Sequence, residues 1–174
     1  MTTTTGKNSE PTNVLFRVKR GLSAYVSYLA ACEMNQAFSE YALYEPILRI
    51  LMARGYTVKC EYKCPGIEQP DQGDKKRLDF YAVKHSLRLA IEVKWVKSKK
   101  PDIKRDVDKL RAFLAAKPGS MALLCVFGRK SHVQVLELTT GRFEERGKAV
   151  YADLRKTRYG CRIYQLQPPK GRNR

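Results

Sequence analysis

Histidine is nearly absent from this chain: His85 and His132 are the only two, and they lie far apart. That scarcity excludes chemistry built on paired imidazoles, whether as metal ligands or as an acid–base couple. Acidic residues are also few, 17 against 34 Lys plus Arg. No apolar run reaches the roughly 18 residues of a membrane span. Residues 1–11 are Thr- and Ser-rich and carry no hydrophobic segment of the kind a secretory signal needs. The five cysteines, Cys32, Cys60, Cys64, Cys125 and Cys161, are odd in number, and no second Cys or His pair completes a metal site with Cys60 and Cys64. Reduced thiols in a cytoplasmic protein that stays off membranes are the expectation.

What is present is positive charge, a formal excess of +17. A field of that sign concentrates polyanions, and nucleic acid is the commonest of them. Hydrophobic residues make up 43% of the 174, which excludes a wholly disordered chain and suffices for one domain with a core. The expected organisation is a flexible leader over 1–12, a single domain over 13–167 and a basic tail over 168–174.

Val18, Leu22, Val26 and Leu29 recur at helical spacing and predict a helix over about 13–33. Ser39 can cap a second helix that ends at Gly55, with Pro46 kinking it or marking its true start. Alternation over 56–63 predicts a half-buried strand, 65–73 a loop, and 78–83 with 87–96 two further strands around a short turn. A helix follows from Pro101 or Asp102 to Pro118, then a fully covered strand over 121–127. Residues 133–138 read as a strand, and 142–167 as a helical segment followed by a strand over 162–166. The order predicts an α/β fold, a mixed sheet flanked by helices.

One segment carries chemistry: Gly73-Asp74-Lys75-Lys76-Arg77-Leu78-Asp79-Phe80, then Ala90-Ile91-Glu92-Val93-Lys94-Trp95. On a strand Glu92 and Lys94 project to one face, and Ile91, Val93 and Trp95 to the other. A hairpin centred between His85 and Ser86 sets Asp79 directly opposite Glu92, with Cβ atoms about 5 Å apart. Two carboxylates so placed repel unless they share a cation, and a hard, oxygen-preferring one such as Mg²⁺ or Mn²⁺ suits them. Two other Asp/Glu-x-Lys triplets do not qualify. Glu61-Tyr62-Lys63 has no acidic strand upstream, and Asp102-Ile103-Lys104 falls at a predicted helix.

Asp79 followed by Glu92-Val93-Lys94 resembles the signature of the PD-(D/E)XK nuclease superfamily. The resemblance covers about 39–127 and matches the α-β-β-β-α-β core of the restriction-endonuclease-like fold. Leu78 stands where that signature often has Pro. The resemblance implies a metal-dependent nuclease, endo or exo, acting on DNA more than RNA, in which Asp79 and Glu92 bind Mg²⁺ and Lys94 orients or deprotonates the attacking water. It also implies a 5′-phosphate and a 3′-hydroxyl as products, and a further Glu from the helix before the sheet. Glu40 and Glu45 compete for that role. Glu40 falls within the apolar stripe of Leu43, Ile47 and Leu51 and is preferred, while Glu45 falls off it. Cutting both strands of a duplex would call for a homodimer.

Basic residues flank the pair: Lys75, Lys76 and Arg77 before Asp79, and Lys97, Lys99 and Lys100 after Lys94. They are placed to hold phosphates on either side of a scissile bond. Asp106-Val107-Asp108-Lys109-Leu110 on the next helix adds Lys109 as a candidate phosphate contact. The competing reading is a non-catalytic nucleic-acid-binding module on the same fold.

Overall fold

Val14, Leu15, Val18, Leu22, Val26 and Leu29 form the buried stripe of α1 (Glu10–Ala31). The helix starts earlier than expected, with Glu10 in the first turn, where a negative charge is favoured by the positive end of the helix dipole. The computed structural model describes residues 10–34, 39–73, 75–154 and 157–168. The rest of the expected leader, Asp74 and the tail beyond residue 168 lie outside the described residues.

Ser39 Oγ accepts the Ala42 N–H at 3.2 Å, a 3₁₀ turn spans Tyr41–Leu43, and α2 runs over Tyr44–Ala53. Pro46 sits in the first turn of α2, where a missing N–H breaks no intrahelical bond, so it marks the start of the helix. The two helices pack closely at Gly21: a Cβ there would lie 2.5 Å from Ile50 Cδ1.

The strands are β1 (Thr57–Lys63), β2 (Arg77–Lys84), β3 (Leu87–Val96), β4 (Met121–Arg129), β5 (Phe143–Glu145), β6 (Val150–Leu154) and β7 (Thr157–Leu166). They form one mixed sheet in the order β1-β2-β3-β4-β7-β5, with β6 on β7. Only β3 and β4 run parallel, as their connection through α3 (Lys104–Ala116) allows. β4 is buried continuously from Ala122 to Gly128, as the unbroken apolar run required. The chain is therefore an α/β protein with a seven-stranded mixed sheet flanked by helices. Among the described residues no helix is long and apolar enough to cross a membrane.

Two expectations fail. Residues 133–138 hold no strand; a short helix α4 (Lys130–Val133) turns there, closed by Gln134 N–H on Lys130 O at 2.8 Å, and Glu137 N–H is tied to Lys99 O at 2.8 Å. The described residues of 142–167 hold no helix but β5, β6 and a β7 that is longer than the five residues expected. These strands are created by pairing on β7, a non-local term that a short periodicity does not reveal.

The sheet separates two cores. Ile91 and Val93 of β3 pack toward α1 and α2, with Phe80, Phe127 and Ile163. Ala90 and Val96 pack toward α3, with Val107, Leu110 and Phe113. Each large apolar side chain so buried contributes roughly 1.5–3 kcal/mol. Glu92 falls on the α3 side and is 1% exposed, a carboxylate inside a hydrophobic layer.

Candidate functional site

The β2–β3 hairpin closes as expected, with Lys84 facing Leu87 across a two-residue turn and pairs continuing to Phe80–Ile91. His85 takes the left-handed conformation, φ 51°, that the turn demands. Asp79 and Glu92 are the next facing positions, and there the ladder stops. Asp79 Oδ2 accepts the Val93 N–H at 2.6 Å, so a side chain takes a bond the strand would otherwise use. Leu78 and Phe80, two residues apart, bury on opposite faces, which marks the same break in alternation.

Around this opening the chain assembles more charge than the hairpin alone. Tyr44, at the start of α2, donates its hydroxyl to Asp79 Oδ1 at 2.5 Å, with Glu61 Oε1 at 3.2 Å, and its ring packs on Phe80. Lys109 of α3 donates to Glu92 Oε2 at 2.5 Å and to Arg77 O at 3.0 Å, and lies 3.6 Å from Asp106 Oδ1. Lys94 lies 3.5 Å from Asp106 Oδ2 and 3.9 Å from Glu40 Oε1. Glu40 Oε1 also accepts the Trp95 N–H at 3.0 Å. Glu45 stands apart, on the surface and paired with Arg49. The geometry brings Glu40, Asp79, Glu92 and Lys94 together and leaves Glu45 out.

Burial dominates the electrostatics. It lifts the Asp79 carboxyl above its ordinary value, against the hydrogen bonds from Tyr44 and Val93. Burial and the charge of Asp79 push Glu92 well above the usual range, and Lys109 offsets this only in part. Burial alone would lower Lys109, yet Glu92, Asp106 and Asp79 hold it above its ordinary value. Carboxylates outnumber the two lysines here.

Do these residues suit a divalent ion? Glu92 Oε1 is buried with no hydrogen-bond partner, and the donors around Lys109 Nζ are carboxylate and carbonyl oxygens, the set a hard cation takes. The ammonium of Lys109 sits among these oxygens. Among the described residues no group of three or more His, Cys, Asp or Glu is arranged to hold a metal.

The flanking basic residues divide. Lys75 Nζ folds onto its own loop, 2.7 Å from Pro70 O, and the Lys76 N–H is held by Gln69 Oε1 at 2.7 Å. Arg77, Lys97 and Lys99 are exposed, while Lys100 pairs with Glu137 at 3.3 Å.

Sequence reasoning missed three participants. Asp106 is legible in retrospect, an acid three residues after Ile103 and four before Leu110 on a buried stripe. Tyr44 needed the tertiary contact. Glu61 has no acidic strand upstream, but its antiparallel neighbour lies downstream: Cys60 faces Phe80 and Tyr62 faces Leu78, leaving Glu61 across from Asp79. Glu61 also holds a left-handed φ of 48°, a strained state for a residue with a Cβ.

Comparison with family models, with curated proteins and with solved structures found no match.

Tyr44→Phe should cost about 1.5–3 kcal/mol at neutral pH, the range for a hydrogen bond to a charged group. The bond favours ionised Asp79, so its contribution is present when Asp79 is charged and fades as pH falls through the Asp79 pKa. Urea midpoints of both chains at neutral and acid pH check this; an equal difference at both rejects it.

Proposed function

We propose that the protein is a Mg²⁺- or Mn²⁺-dependent nuclease that hydrolyses phosphodiester bonds in DNA, of PD-(D/E)XK type on a restriction-endonuclease-like core. The observation that carries this reading is a buried Glu92 with an unpartnered Oε1, set beside Asp79 where the β2–β3 ladder opens, with Lys94 two residues on. Asp79 and Glu92 would hold the metal, which supplies Lewis acidity toward a phosphoryl oxygen. Val93 N–H and Tyr44 fix both oxygens of Asp79 and so orient it. Lys94, kept in place by Asp106 and Glu40, offers an ammonium to the charge that develops on the pentavalent phosphorus, or hands a proton between water and Glu40. Arg77, Lys97 and Lys99 hold flanking phosphates. The five free thiols agree with a cytoplasmic setting.

The second reading, a binding module without catalysis, is favoured by one observation: Lys109 already neutralises Glu92. Labelled single-stranded, duplex and branched DNA and RNA, incubated with Mg²⁺ or EDTA, separate the two. Cleavage in Mg²⁺ alone supports the nuclease; binding with no cleavage under any metal rejects it.

Affinity for duplex should fall steeply with salt, by about 0.9 in the log–log slope for each phosphate neutralised. Lys97→Gln should lower the slope by about one such unit in anisotropy titrations against KCl. A slope near zero for the wild type would remove the polyanion reading of the +17 charge.

A further inference from the structure

A wide concavity lies away from the acidic residues, at the C-terminal end of α2, whereas Glu40 and Tyr44 stand at or before its N-terminal end. It is a groove of about 820 Å³ between α1, α2 and the turn joining β5 to β6. Arg17, Lys19, Arg20, Arg54, Arg146 and Lys148 line it, and no lining residue is acidic. Two of these cations have carboxylates beside them, Arg54 with Glu10 at 3.1 Å and Arg146 with Glu144 at 3.8 Å. Arg17 bonds the neutral amide of Asn13, and Arg20 lies 5.6 Å from the ring centroid of Phe16.

Lys19 is the unusual member. It is 2% exposed and donates to two backbone carbonyls, Arg146 O at 2.8 Å and Lys148 O at 2.7 Å, with no carboxylate in contact. An ammonium has three donors, so one remains beyond these two bonds. A buried charge without an opposite charge in contact is costly, and an anion seated in the groove would offset it. The apolar part of the lining is Ile50, Ala53, Ala149 and Val150, with Phe16 47% exposed among the cations.

We propose that this groove is a second nucleic-acid site that takes a single-stranded segment, with an unpaired base on Phe16 and phosphates on Arg17, Arg20 and Lys148. Aromatic stacking beside a positive groove is the way proteins hold single strands, because every base has a π-face that a duplex hides. The volume falls in the range that encloses a small ligand or a nucleotide unit, far short of a duplex. A lipid surface would call for a protruding apolar face, and here the apolar surface is recessed between cations. The inference does not rest on hydrolysis at Asp79 and Glu92, since it concerns binding alone.

The test uses the full chain in EDTA, where no metal-dependent cutting occurs, and a fluorescein-labelled oligo-dT read by anisotropy. Phe16→Ala should weaken binding by about 5- to 150-fold, the value of one base–aromatic stack. Arg17→Gln with Arg20→Gln should weaken it about tenfold or more and flatten the salt slope by about 0.7 per lost phosphate contact. Both variants change exposed side chains, and their urea midpoints should match the wild type. Duplex of the same length should bind both variants as it binds the wild type. An oligo-dT carrying 5-iodouracil should crosslink to Phe16 on irradiation. Unchanged oligo-dT affinity in both variants, crosslinks confined to β2 and β3, or equal loss of duplex binding would each overturn the proposal. So would wild-type binding to phosphatidylserine vesicles with none to oligo-dT.

Discussion

Glu92→Gln should fold, bind duplex DNA in EDTA at least as tightly as the wild type, and cut it with Mg²⁺ at least about a hundredfold more slowly. That factor is what loss of one preorganised electrostatic contact at a reacting centre commonly costs. Gln keeps the shape of the side chain but removes the negative charge, so a cation loses a ligand while facing phosphates lose a repulsive neighbour. Asp79→Asn should behave alike. Lys94→Ala should lose most cleavage and retain duplex binding, if Arg77, Lys97 and Lys99 hold the flanking phosphates as proposed. Glu40→Ala should be impaired, because it frees Lys94 from one of its two carboxylates. Glu45→Ala should cut at the wild-type rate, since Glu45 touches only Arg49 on the surface. Glu61→Ala should be slowed less than Asp79→Asn, as it acts on Asp79 through Tyr44. Gel assays under single-turnover conditions separate these outcomes. Equal rates for Glu92→Gln and the wild type, on a substrate the wild type cuts, would place the chemistry elsewhere.

Lys109→Met should be the most destabilising single change near the site, by about 3–5 kcal/mol at neutral pH, as expected when one member of a buried ion pair is removed. Lys109 is bonded to Glu92, which has almost no access to water. The sign of the pH dependence follows from burial. Burial and Asp79 raise the Glu92 pKa in the folded chain above the roughly 4.3 of an exposed Glu. The folded state therefore binds the proton more tightly than the unfolded state. Stability falls as pH rises from about 4 through the raised folded value. Removing Lys109 raises that pKa further, so the penalty should be large at neutral pH and shrink in acid as Glu92 becomes neutral. The double variant Glu92→Gln with Lys109→Met should recover most of the loss, because no charge is then left unpaired. Urea midpoints of the four chains at several pH values give the coupling. A Lys109→Met penalty that persists in acid, or that Glu92→Gln fails to relieve, would show that the lysine acts through packed contacts and not through charge.

The sequence by itself determined the elements whose cause is local. The apolar stripe of α1, the hairpin and its register, the alternation that sends Glu92 and Lys94 one way and Ile91 and Val93 the other, and the covered strand β4 all follow from period and burial. Asp79 opposite Glu92 was legible for the same reason, since a two-residue turn sets the register of everything behind it. What only the tertiary structure decided depends on contacts between segments far apart in the chain. The strands β5 and β6 exist because β7 offers backbone partners, so their own short sequences did not announce them. Tyr44 meets Asp79 across 35 positions and Lys109 meets Glu92 across 17, distances over which no periodicity carries information. Glu61 shows the point at its smallest scale. An antiparallel sheet pairs a residue with one that comes later, so the carboxylate that Tyr44 links to Asp79 was invisible to a search for acids upstream.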